Sequence, residues 1–149
     1  MAPHYHLTGV ETVRVTEGRL AVRLGDTDLD LSPGDEATVG PVTVHSWRNR
    51  GEEPTVVEVE LRPRHPGFET SLRVGYGLAA DGQVLRNGLP RKLMHTALLL
   101  AWAEAGLTGA YGLLQPLMRE LALLGRRLGR RPGIGASLSL MRQPIARNA

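Results

Sequence analysis

Between His4 and Arg62 the chain alternates apolar and polar residues in short runs. Glu11, Val13 and Val15 share one parity, and Thr12, Arg14 and Thr16 the other. Leu20, Val22 and Leu24 interleave with Arg19, Ala21 and Arg23; Leu29 and Leu31 with Asp28 and Asp30; Val57, Val59 and Leu61 with Glu58 and Glu60. Side chains on a strand point alternately to opposite faces, so each run presents one apolar and one polar face. Turn signals such as Ser32-Pro33-Gly34-Asp35 separate the runs. Short strands with one wet face predict an antiparallel sandwich or barrel closed over a single interior.

The 149 residues suffice for one domain with a core, and 42% hydrophobic residues fit a globular chain. There is no cysteine, which excludes disulfides and thiolate metal sites; any metal must be held by His, Asp, Glu or carbonyl groups. The N-terminus, MAPHYH, lacks the basic region and apolar run of a signal peptide, so a cytoplasmic location is expected. Charge is divided unevenly. Residues 1–87 carry nine arginines and thirteen acidic residues, whereas residues 88–149 carry nine basic residues and two acidic ones. Aromatics are few and no nucleic-acid motif is present, so no nucleic-acid partner is expected.

His4 and His6 stand two apart and share a strand face. Neutral imidazole is a common ligand for divalent metals, although a histidine pair this near the terminus is equally compatible with a frayed surface strand. If the Glu11–Val13–Val15 face is buried, a carboxylate goes inside and needs a partner or a metal. His45, Trp47 and Asn49 share a face of a later strand, and His45 would bring a third imidazole to the same interior.

These residues resemble the cupin motifs. The first motif, H-x-H, three or four residues, E, six residues, G, is matched by His4, His6, Glu11 and Gly18. The second, G, five residues, P-x-G, two residues, H, three residues, N, is matched by Gly34, His45 and Asn49. Gly40, Pro41 and Val42 replace its proline-x-glycine turn, which alters the loop before His45. The resemblance implies a mainly β fold, a cupin-type antiparallel barrel (double-stranded β-helix, or jelly roll), followed by a C-terminal helical hairpin. It also implies a metal held by His4, His6, Glu11 and His45, with Glu11 the catalytic candidate as ligand or base. The donor set suits Fe(II), which is favoured, or Mn(II), Ni(II), Co(II) or Zn(II). Val13 and Trp47 are candidates to line the pocket, although packing is the simpler role for Trp47; Val22 is assigned no role. Cupins usually carry strands ahead of the first motif. The open edge is expected to be covered by a second subunit, giving a homodimer, or by the chain's own C-terminal part.

Among the other polar residues, Tyr5 points away from the His4 and His6 face and is expected to pack. Asn49 is expected to stabilise a turn, His65 to lie on the surface, and His95 to be a satisfied or exposed histidine.

The expected organisation is a barrel core over 1–67, a connection over 68–88 that reads equally as helix or strand, a two-helix extension over 89–131, and a loose tail over 132–149. The helices are expected at Leu89–Ala105 and Leu113–Arg131. In the second, Leu114, Leu117, Met118, Leu121, Leu124 and Leu128 recur at helical spacing. The apolar run Leu93–Ala103 falls short of the roughly 20 residues that span a bilayer. The second helix, with its arginines, has the make-up of one that lies on an anionic membrane, but packing with the arginines in water is the expected arrangement. Three functions follow: a metal-dependent enzyme acting by oxygenation or isomerisation on a small organic substrate, a non-catalytic metal or ligand binder, and a membrane- or partner-binding module.

Overall fold

The computed structural model describes residues 2–128 and 142–145. Among these residues, nine strands form two antiparallel sheets. The first has the order β4 (Thr27–Leu31), β3 (Leu20–Leu24), β6 (His45–Arg48), β1 (His4–His6), β8 (Ala105–Leu107). The second has the order β5 (Glu36–Val39), β2 (Val10–Glu17), β7 (Thr55–Arg62), β9 (Arg142–Ile145). This is the expected jelly-roll arrangement.

Alternation fixes what each strand buries. In β2 Glu11, Val13 and Val15 are buried, while Val10, Arg14 and Glu17 are exposed. Val13, Val15, Leu20, Val22, Leu31, Ala37, Trp47 and Val57 form one core cluster. The 32–35 turn is closed by Asp35, whose carboxylate accepts the Ser32 N–H at 2.8 Å. Asn49 has the turn role expected of it: its side chain donates to the Glu53 carbonyl and accepts the Gly51 N–H.

The edge of β1 is covered from within the chain. β8 pairs with β1 through His4–Leu107, Tyr5–Gly106 and His6–Ala105. Gly106 is required there because a side chain would run into the Tyr5 ring. β9 extends the other sheet by pairing with β7. It falls inside the expected loose tail, most of which lies outside the described residues.

The ambiguous segment after the barrel is helical: α1 spans Pro66–Ala80. His65 is its N-cap, its Nδ1 accepting the Phe68 N–H at 3.0 Å, so it is a structural residue rather than a loose surface histidine. Helix α2, Leu93–Trp102, is shorter than expected at both ends. Pro90 is instead bridged to Val84, and Glu104 turns the chain with a φ of 48°. A 3-10 helix, Gly109–Leu114, leads into α3, Gln115–Arg127.

The apolar spacing of α3 predicts only part of its buried face, Met118 and Leu121 being packed. Met118 and Ala122 pack with Ala97 of α2, while Leu114, Leu117, Leu124 and Leu128 stay exposed. Small residues decide the contact. A side chain added at Gly125 would stand 3.1 Å from both Leu98 and Met94, so only the Ala122–Gly125 side lets α2 approach closely.

Candidate metal centre

The two sheets bring the predicted ligands together. His4 faces His45 directly across the β1–β6 ladder, with ring centroids 4.3 Å apart. Glu11 enters from β2 in the opposite sheet. One ligand atom from each of His4, His6, Glu11 and His45 lies within 4.8 Å of all the others. His6, Glu11 and His45 are 5%, 3% and 1% exposed, so a frayed surface strand does not describe this terminus.

The imidazoles are oriented by backbone carbonyls. His45 Nδ1 lies 2.9 Å from the Thr43 carbonyl, His4 Nδ1 3.1 Å from that of Ala2, and His6 Nδ1 a longer 3.5 Å from that of Ala103. A carbonyl oxygen only accepts, so each Nδ1 carries a proton, and in the neutral ring each Nε2 keeps its lone pair. His6 Nε2 and His45 Nε2 stand 3.2 and 3.1 Å from the same oxygen, Glu11 Oε2. None of these three buried atoms makes a hydrogen bond. Lone pairs gathered in this way repel one another, and burial makes that costly. A divalent cation converts the repulsion into ligation, so the residues present fit a metal.

The electrostatics agree. Burial opposes charge on Glu11, while a proton on His45 or His6 Nε2 would hydrogen-bond its carboxylate, and these contacts hold the carboxyl at about 2. Burial, followed by repulsion from His45 and His6, lowers His4 to about 3. The site is thus set for a carboxylate beside a neutral His4, the forms that metal binding requires.

The surroundings sort the remaining candidates. Trp47 lies edge-on to His45, with ring centroids 5.5 Å apart, and also belongs to the core cluster. Val13 is fully buried in that cluster, as is Val22. Tyr5 lies on the opposite side of β1, along a groove of about 160 Å³ beneath α2 and α3. His95 is half-buried on α2, remote in sequence from the ligands, and is not part of the group.

Three contributors lie outside the motifs. Phe68 of α1 sets its edge against the His6 ring at 5.2 Å. Tyr76, two turns further along α1, has its hydroxyl raised by burial and by the charge of Glu11. The Ala103 carbonyl faces His6 across 97 residues of sequence. A backbone carbonyl leaves no sequence signal, and Phe68 and Tyr76 look like ordinary helix-packing residues.

Two facing antiparallel sheets of jelly-roll type enclose three histidines and a glutamate that could hold a metal. Residues 1–61 match the family model of the cupin domain, and this part of the chain is a cupin domain. Similar solved structures include the TT1209 protein of Thermus thermophilus, 27% identical over 40% of this chain and 56% of that one, with a TM-score of 0.38. KdgF of Halomonas sp. is 25% identical over 42% and 57%, with a TM-score of 0.38. A double-stranded β-helix protein of Klebsiella pneumoniae is 32% identical over 41% and 53%, with a TM-score of 0.37. The chain thus spans a little over half the length of these structures. No curated protein matches it.

Proposed function

We propose that the protein is a metal-dependent cupin that acts on a small organic molecule at the centre formed by His4, His6, Glu11 and His45. The observation that carries this reading is the convergence of three buried, unpartnered ligand atoms, His6 Nε2, His45 Nε2 and Glu11 Oε2. Fe(II) is the favoured ion, with Mn(II), Ni(II) and Zn(II) as alternatives of compatible donor preference. When bound, such an ion supplies Lewis-acid or oxygen-activating chemistry, suited to isomerisation or to dioxygenase-type oxygenation. The three histidines hold and orient. Glu11 either completes the ligand set or, swung off the metal, takes a proton from a substrate bound beside it. Phe68, packed against the His6 ring, and the core face of β2 keep the group buried.

The burial of the ligands favours a second reading, a metal or ligand binder without turnover. Elemental analysis of untagged protein purified without chelator tests the shared premise. About one metal per chain is expected, lost in a His6→Ala/His45→Ala variant that remains folded. Absence of metal, even after anaerobic addition of each candidate ion, overturns the enzyme and the metal binder alike. Turnover of candidate small molecules, including oxygen uptake, then separates enzyme from binder.

A further inference from the structure

The leucine face of α3 has no cover among the described residues. Leu113, Leu117, Leu124 and Leu128 are 83%, 46%, 48% and 61% exposed. Their spacing of four, seven and four residues places them along one line of the helix and its flanks. Leu114 and Tyr111 extend the patch at 41% and 43%. A contiguous apolar strip of this kind marks an interaction surface.

Charge selects the occupant. Arg119 and Arg127 are exposed on the same helix, and Glu120 is its sole acid. From Gly109 to the C-terminus the sequence holds seven arginines and one acidic residue. A second copy related by two-fold symmetry would bring this basic helix against itself. An anionic bilayer offers hydrocarbon to the leucines and phosphates to the arginines. A high apolar asymmetry, a basic polar face and low overall hydrophobicity are the features of helices that lie in the membrane interface. No described helix is long and apolar enough to cross a membrane. We propose that α3 docks the protein peripherally on an anionic phospholipid surface, its leucine face down and its arginines among the headgroups.

Co-sedimentation of the full-length protein tests this. Vesicles of phosphatidylcholine mixed with phosphatidylglycerol should bind the protein, and phosphatidylcholine alone should not. Each arginine near such a surface contributes about a fivefold factor in affinity, so Arg119→Gln/Arg127→Gln should weaken binding about 30-fold. Leu117→Gln/Leu124→Gln should abolish binding while circular dichroism remains that of the parent. Failure to bind either vesicle, equal binding to both, or binding that survives the leucine substitutions would each overturn the proposal. A dimer seen by sedimentation velocity that the leucine substitutions dissociate, without vesicle binding, would assign the face to a second copy instead.

Discussion

His45 Nε2 and Glu11 Oε2 stand 3.1 Å apart across the two facing sheets, with no hydrogen bond between them. The two atoms belong to strands that share no ladder, so the core fixes their separation. Ala37, Trp47 and Val57 are packed in one cluster with Val13 and Val15, the inward neighbours of Glu11.

Removing the carboxylate should separate affinity from stability. Glu11→Gln keeps the shape but replaces a charged ligand with a neutral amide. Metal affinity should fall by more than the roughly 10–100-fold that loss of an outer partner costs. The metal-free variant should stay folded, because the amide N–H₂ supplies donors to the imidazole lone pairs. Metal titration followed by calorimetry reports both; unchanged affinity would remove Glu11 from the ligand set.

Acid should destabilise the metal-free protein earlier than carboxylate titration alone. His4 is lowered from 6.5 to about 3, so between these values the unfolded chain takes up a proton that the folded one refuses. Its contribution is complete above about 6.5 and declines as pH falls. Glu11 is lowered from 4.5 to about 2, so its contribution is present above 4.5 and lost toward 2. Both act in the same direction. The urea midpoint should therefore drop steadily from neutral pH to about pH 4, and a flat profile over that range would contradict the assignment.

Val42 should be improvable. It occupies the motif's glycine position and has a φ of 60°, a conformation that a β-branched residue adopts at a cost. Its side chain is 62% exposed, so little burial is lost on truncation. Val42→Gly should stabilise by about 1 kcal/mol, raising Tm by about 2–4 °C in scanning calorimetry. The Val42 N–H, which donates to the His6 carbonyl at 2.7 Å, is kept by the substitution.

Gly106→Ala should damage a site whose ligands it never touches. The added methyl meets the Tyr5 ring, between the two histidines of β1. Overpacking of this kind costs about 1–3 kcal/mol. Metal affinity should fall together with stability in denaturation and metal-titration experiments, and a loss of stability alone would show that β1 keeps its place without β8.

The ligand group was readable because a strand's period of two places His4 beside His6 and buries Glu11 with Val13 and Val15. The second motif then placed His45. What the sequence hid was short or non-local. β8 has three residues, Ala105–Leu107, within a glycine-punctuated stretch that signals a break. The α3 leucines announced a buried face, but helix packing went to Ala122 and Gly125, where backbones approach most closely. His65 showed no capping signal beyond Pro66, because histidine is an uncommon N-cap.

β1 is held between β6 on one side and β8 on the other, and that has a consequence for biosynthesis. The strand carrying His4 and His6 is made about a hundred residues before its second neighbour, a long closure that slows assembly. Until then its edge is open, and the carbonyl that orients His6 has not been made. If the group holds an ion, one arriving before β8 pairs would meet a half-built cage, and the closing of that strand and the tightening of the site would be one cooperative event.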